Sequence, residues 1–388
     1  MKQSHSPRSQ KVQSDSLPTH RTYTSYQPQP TTQKANPSRS DIVNARRFPI
    51  KRVLTGIVAV ILIPLLILSF LTYKNVSGAT EKLFGSSNLL SLLPPNTLQK
   101  DADGKTNILL VGYSADDPGH GGALLTDSVM VMSINQEQKT GYMLSVPRDL
   151  YVRIPDYGSA KINEAFQAGE SQEFNESGYP LGGMGLLQKV VSDSFGIQIH
   201  YNMLINYTAV REVTDSLGGI TVTIESPDPR GIYDPNFKPE EGGPLKLTNG
   251  QHTIDGQTAL RLTRARGSTY GSYGFPQSDF NRTQNQQRII SAIKQKLTFK
   301  SLINPTTNGQ ILTAAANNVK TNVDINAALP LFLTIRAIPD ASLKQVNLRD
   351  FNGQNLLASY ATPSGQSALI PAKGVNNYTD IKAAVNSL

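Results

Sequence analysis

The sequence contains no cysteine. That excludes a disulfide scaffold, cysteine catalysis, thiolate zinc sites and iron–sulfur clusters. Histidine is scarce: there are five in 388 residues, two of them in the first 52, too few to favour a His-based triad. Several catalytic patterns are missing too. No G-x-x-x-x-G-K-[ST] phosphate loop occurs, and no G-x-G-x-x-G opens a helix. Neither a G-x-S-x-G elbow nor an H-E-x-x-H helix occurs. Acidic residues are rare at the N-terminus. Residues 1–52 hold ten of the 37 Lys and Arg but only two of the 29 Asp and Glu, so the rest holds 27 of each sign. The whole excess of +8 therefore lies in the first 52 residues. A basic tail on a neutral remainder argues against a nucleic-acid partner.

What is present is equally uneven. Val53–Tyr73 is a run of 21 residues without charge, and a helix needs about 20 such residues to cross the hydrocarbon core. Pro64 falls mid-span, where membrane helices tolerate it. Arg46, Arg47, Lys51 and Arg52 precede the run, which by the positive-inside rule predicts a cytoplasmic N-terminus. A cleaved signal peptide is the rival reading, with Ser77-Gly78-Ala79 as its cleavage region. Both the tail and the apolar run are too long for it. Residues 1–52, rich in Ser, Thr, Gln and Pro, read as a disordered cytoplasmic tail. Residues 74–104 read as a tether, in which SNLLSLL (87–93) suggests a short amphipathic piece near the bilayer. The sequence therefore predicts a single-pass protein of the cell membrane with an extracytoplasmic domain over 105–388.

Within that domain, strand and helix patterns alternate. NILLVG (107–112), SVMVMSI (128–134), GYMLSV (141–146), YVRI (151–154), HYNMLIN (200–206) and ITVTI (220–224) read as strands, with a hairpin turning over 135–141. Helical patterns are expected at 161–170, 183–196, 207–219, 255–264, 279–297, near 308–320 and at 325–338. The predicted fold is mixed α/β, a central sheet flanked by helices.

Chemistry concentrates in three places. Of eleven arginines beyond the apolar run, five fall between 261 and 288: Arg261, Arg264, Arg266, Arg282 and Arg288. Planar bidentate donors at that density suit phosphate or carboxylate. A solvated helix face paired with acids is the bland alternative, yet only Asp255 and Asp279 lie between 250 and 300. Next, Arg148 and Asp149 emerge where a strand ends, the usual ligand side of α/β sheets. Finally, Asp127 opens the preceding strand, and the hairpin brings it towards Asp149. Carboxylates beside an arginine-bound phosphate make a site for Mg²⁺. In the loop over 112–127, Asp116, Asp117 and His120 are further candidate ligands. Carboxylates, arginines and a cation are the parts used in phosphoryl transfer.

At these residues the chain resembles the LytR-CpsA-Psr family of membrane-anchored cell-wall glycopolymer ligases. The resemblance covers about 105–385. It is carried by NILLVG, the T-D-S at Asp127, SVPRDLYVRIP (145–155), KIN (161–163), the 206–222 run with DSLGGITV, DGQTALRLTRAR (255–266) and DFNRTQNQQ (279–287). It implies a mixed α/β fold with a hydrophobic tunnel for a polyprenyl chain. It also implies transfer of a glycopolymer-1-phosphate from polyprenyl diphosphate to a peptidoglycan hydroxyl, assisted by Mg²⁺. Asp127 becomes a metal carboxylate, and Arg148, Arg264, Arg266 and Arg282 become diphosphate clamps. Asp149 orients an arginine or accepts the acceptor's proton. Lys161, Asn163, Asp279, Gln286 and Arg288 are expected to bind substrate. Val190, Ile197, Val210, Val213, Leu217, Ile289, Ile293 and Leu297 are candidate tunnel lining.

Three positions depart from the family pattern: Ser114 for an Asp, Leu125 for an Arg, and Asn285 for an Arg. Either the 112–127 loop and Arg288 rebuild the site, or the chain has kept the fold and lost the chemistry as a lipid-binding or regulatory protein. A diphosphate hydrolase using the same residues is a further alternative.

Overall fold

A computed structural model describes residues 77–83, 97–113, 124–298 and 305–388. These all fall within one compact unit, Pro64–Leu388. The tail, the 53–73 run and SNLLSLL lie outside the described residues, as do Ser114, Asp116, Asp117 and His120. Among the described residues no helix is long and apolar enough to cross a membrane.

The chain begins its sheet with β1 (Lys105–Tyr113), apolar on both faces because both are covered. The 114–123 segment leads to β2 (Thr126–Asn135), antiparallel to β1, and a polar turn returns as β3 (Thr140–Val146). Then β4 (Tyr151–Ile154) and β5 (Gly158–Lys161) form a small hairpin. Here the structure corrects the helix expected over 161–170. Lys161 pairs with Tyr151 in the hairpin, Ile162–Glu164 makes a 3₁₀ turn, and α1 spans only Ala165–Ser171. The pairing partner of Tyr151–Ile154 takes these residues out of the helix, and local periodicity does not show that. α2 (Gly182–Phe195) ends on Gly196, whose φ of 69° supplies the left-handed cap.

Next, β6 (Tyr201–Asn206) runs parallel to β1 and hands over directly to α3 (Tyr207–Ser216), capped by the Asn206 side chain. β7 (Ile220–Ile224), β8 (Ile232–Asp234), β9 (Leu245–Leu247) and β10 (Gly250–Ile254) form two peripheral ribbons, β7 with β10 and β8 with β9. Helices α4 (Gly256–Arg264), α5 (Asp279–Lys296) and α6 (Pro305–Asn318) follow. The chain closes with β11 (Val319–Thr321), α7 (Ile325–Ala337), β12 (Leu343–Asn347), the hairpin β13 (Leu357–Ala361) and β14 (Ser367–Pro371), and α8 (Thr379–Asn386).

The main sheet has the order β11-β6-β1-β2-β3-β12 and is mixed: β6 runs parallel to β1 and β12 to β3, while the other pairs are antiparallel. Strand alternation sorts its two faces. Leu109, Val111, Val131 and Leu144 pack on α2 through Leu186, Leu187 and Val190. Ile108, Met130, Met132 and Met143 pack on α7 through Ala327 and Leu331. A third core lies between β7, α4 and α5, with Val222, Leu262 and Ile289 at its centre. Buried Gln287 pins α5 to the sheet by donating to the Met143 carbonyl at 2.9 Å.

Candidate active site

The site forms at the ends of β2 and β3. In their register Val129 faces Val146. Two residues further along, Asp127 faces Arg148, and Arg148 Nη1 donates to Asp127 Oδ1 at 2.8 Å. Arg148 Nε lies 3.6 Å from Asp149 Oδ2 and 3.4 Å from Asp279 Oδ2. Asp127 and Asp149 are thus bridged by Arg148 between them. Asp149 also accepts from Lys161 Nζ at 2.9 Å. Asn163 stands behind this group and lines none of the three cavities described below. Its amide donates to the Arg148 carbonyl, and its own carbonyl accepts from Thr126 Oγ1. It braces the two strand ends.

From the other side come α4 and α5. Asp255 caps α4 by accepting from the Thr258 amide at 2.8 Å, and the helix carries Arg264 at its last turn. Arg264 Nη1 reaches Glu241 Oε1 at 2.6 Å, with its guanidinium over the Tyr207 and Phe237 rings. After the helix, buried Asp234 accepts from the amides of Arg266 and Gly267, both at 2.9 Å. That turns the chain so that Arg266 Nε lies 3.1 Å from Asp279 Oδ1. Arg282, in the first turn of α5, has only 6% of its side chain exposed; its Nη2 donates to the Asp127 carbonyl at 3.1 Å. Glu241 and Asp234 answer the sequence's apparent shortage of acids. They arrive from outside the 250–300 window.

The electrostatics are those of a crowded cation cluster. Burial, together with Arg266 and Arg148, pushes the Arg282 guanidinium down to about 10, against the pull of Asp279 and Asp127. It remains charged at neutral pH but is short of negative charge. Burial opposes charge on Arg148 as well, yet Asp279, Asp149 and Asp127 outweigh it and raise its pKa. Burial would raise the Asp279 carboxyl; Arg282, Arg266 and Arg148 prevail and hold it below the usual carboxylate range. Arg148 Nε, Arg282 Nε and Asp279 Oδ1 are buried without a hydrogen-bond partner, although ion-pair distances surround them. Groups left this way call for a further polar partner.

Two cavities open at this cluster, and a third adjoins one of them. A polar pocket of about 210 Å³ is lined by Asp127, Arg264, Arg266 and Arg282. An apolar cavity of about 240 Å³ lies between the sheet and helices α3 and α5, lined by Leu110, Met130, Val210, Val213, Ile289 and Ile293. The two share Gly112, Ser128, Tyr207, Thr263 and Gln286 as common wall. Gln286 holds that wall: it accepts from Ser128 Oγ at 2.8 Å and donates to the Thr263 carbonyl at 3.2 Å. A third cavity, about 480 Å³, opens on the far side of Arg282, past Arg148, Asp149, Lys161 and Asp279.

Some expectations fall outside this picture. Arg288 lines none of these cavities. It donates to Asn285 Oδ1, and burial lowers its pKa. Of the candidate tunnel residues, Val210, Val213, Ile289 and Ile293 line the apolar cavity, whereas Val190 and Ile197 belong to the core under α2, and Leu217 and Leu297 to the third core. Tyr207 escaped sequence reasoning. It lies in the wall and donates to Asp127 Oδ2 at 3.4 Å. Its signal was its place after β6, the parallel neighbour of β1.

For Mg²⁺ the donor set is sparse. Among the described residues no group of three acids or histidines converges. Among the described residues Asp127 Oδ2 has only the long bond from Tyr207, while Asp234 is taken up by backbone amides. One available carboxylate fits Mg²⁺ where phosphate oxygens complete the shell.

A mixed sheet thus presents an arginine-lined pocket beside an apolar cavity that shares a wall with it. The chain belongs to the LytR_cpsA_psr family, which it matches over residues 71–369. It is 30% identical over 226 residues to the polyisoprenyl-teichoic acid–peptidoglycan teichoic acid transferase TagT of Bacillus subtilis, covering 58% of this chain and 62% of that protein. It is 29% identical over 275 residues to the corresponding transferase TagU of Oceanobacillus iheyensis, covering 69% and 76%. In fold it resembles the solved structure of TagT bound to LI-WTA, with a TM-score of 0.53 at 24% identity over 75% of this chain and 94% of that one.

Proposed function

We propose that this protein transfers a glycopolymer-phosphate from a polyprenyl diphosphate carrier to a hydroxyl of peptidoglycan. The observation that carries this reading is the shared wall. The arginine-lined pocket and the apolar cavity have five residues in common, so one amphiphile can place its head in one and its tail in the other. The names of TagT and TagU support the same reaction class.

In this reading Arg264, Arg266 and Arg282 hold the diphosphate. Asp127 and the phosphate oxygens hold Mg²⁺, which when bound neutralises charge on the phosphates. The acceptor oxygen attacks the phosphorus bearing the glycopolymer. The bond from that phosphorus to the bridging oxygen breaks, and polyprenyl phosphate leaves with the bridging oxygen. The arginines stabilise charge on the phosphoryl oxygens as the bond breaks. Asp149 receives the acceptor's proton. Asp279 is a poor base for this, held below the usual carboxylate range by three arginines. The 53–73 run anchors the chain and keeps enzyme and bilayer-bound substrate at high mutual concentration.

The test is an assay of the full chain in lipid nanodiscs with polyprenyl-diphosphate glycopolymer, Mg²⁺ and peptidoglycan. Acceptor-dependent release of polyprenyl phosphate, abolished in Arg264→Ala/Arg266→Ala, is the expected result. Release without acceptor identifies a hydrolase. Binding without release identifies a non-catalytic protein.

A further inference from the structure

The third cavity takes one of its walls from the end of the chain. One wall is the Arg148–Asp149–Lys161 group, another is the start of α5, and the rest comes from Arg349 and the β13–β14 hairpin through Ser359 and Ser367. The hairpin is fastened to the site: the Leu369 amide donates to the Asp149 carbonyl at 2.9 Å, and Leu369 bridges Leu150. Arg349 follows β12 in a turn that Asn347 closes by accepting from the Arg349 amide at 2.9 Å. Its guanidinium lies over the Phe280 ring, 4.7 Å from the centroid. The ring supports the guanidinium by a cation–π contact. Among the described residues no carboxylate pairs with Arg349, whereas Arg148, Arg264, Arg266 and Arg282 each have an acid within 4 Å.

A planar cation held by stacking, with its donor fork uncommitted, is made for a carboxylate. Seryl hydroxyls around it suit the hydroxyls of a sugar. The cavity touches the reacting centre through Arg148, Asp149, Asp279 and Arg282, on the side away from the diphosphate pocket. An in-line displacement needs the attacking and leaving oxygens on opposite sides of the phosphorus. We infer that this cavity is the acceptor subsite, and that Arg349 anchors a carboxylate of a saccharide–peptide acceptor so that its hydroxyl faces Asp149. This rests on the transfer reaction proposed above and adds where the acceptor lies and what recognises it.

The experiment uses the full chain in nanodiscs and two probes. The first is a soluble disaccharide carrying a peptide with free carboxylates, and the second is the same compound with its carboxylates amidated. Binding is followed by calorimetry, and donor-lipid binding is measured separately by native mass spectrometry. The carboxylate probe is expected to bind at least about tenfold more weakly to Arg349→Ala, the loss typical of a charge-assisted pair. Arg349→Lys should recover part of that loss, and the amidated probe should not distinguish wild type from variant. Donor binding and thermal melting should be the same in all three proteins. An Arg349→Ala variant that binds both probes like wild type overturns the subsite. So does a wild type that takes up donor lipid but neither probe. If the donor lipid fails to bind while the carboxylate probe shows the Arg349 dependence, the transfer reading falls and the carboxylate site stands.

Discussion

Two arginines of the cluster differ in what their removal should do, because they differ in burial. Arg266 has 32% of its side chain exposed, and exposed ion pairs contribute about 0–1 kcal/mol. Arg266→Ala should leave the melting temperature nearly unchanged and weaken diphosphate binding about tenfold or more. Arg282 is 6% exposed, and truncating a large buried side chain costs about 2–5 kcal/mol. Arg282→Ala should therefore lose both stability and binding, read by chemical denaturation and lipid uptake. His200 makes a separate prediction. Its Nδ1 accepts from the Asn107 amide at 3.0 Å, and its Nε2 is buried without a partner. Burial lowers its pKa, with Asp101 pulling the other way. The unfolded chain then binds the proton more readily than the native one. Stability is complete above about pH 6.5, the unfolded value, and is lost as pH falls from there through the lower folded pKa. Melting from about pH 7 to about pH 5.5 should show this decline. His200→Asn keeps an acceptor near the Nδ1 position without titrating, so its profile should be flatter. Equal slopes for the two proteins would refute the assignment.

At the scale of elements, the site depends on where two helices begin and end. α4 must stop at Arg264 for Arg266 to turn inward, and its start is set by the Asp255 cap. Losing such a cap costs about 1 kcal/mol. Asp255→Ala should lower global stability by that amount in urea titrations and leave the diphosphate affinity within about twofold, since Asp234 still holds the turn after Arg266. A large loss of affinity would mean that the cap, rather than Asp234, sets the angle of Arg266. The helix expected over 279–297 is found as α5, Asp279–Lys296, although Ser278 gives it no side-chain cap bond. The expected helix at 161–170 is cut short, because β4 competes for Lys161 through pairing that spacing alone does not reveal.

Across the whole molecule, the apolar cavity and the arginine pocket are separate features joined by a wall of five residues. Val213 lines the cavity from α3 and does not border the polar pocket. Val213→Trp should fill the cavity and leave the arginines in place. Uptake of long-chain polyprenyl diphosphate should fall about tenfold or more, given roughly 0.8 kcal/mol per buried methylene. Binding of inorganic diphosphate should not change. Equal loss of both ligands would place the tail elsewhere.

The β2–β3 hairpin, most of the helices and the concentration of arginines over 261–288 are legible from local signals: alternation, glycine stops and the density of one charged side chain. Which of those arginines belong with Asp127 and Arg148 came from the family resemblance. Folding decided the rest. Glu241 and Asp234 reach the arginines from a loop and a ribbon that carry no motif. Arg288, one turn along α5 from the cluster, lines none of its cavities, and spacing along the chain does not say which face meets the sheet. Arg349 reaches the site from 200 residues beyond Asp149 because β12 pairs in parallel with β3 and carries the C-terminal hairpin with it. Pairing between distant strands is set by the summed burial of the whole sheet, so it appears only once the chain has folded.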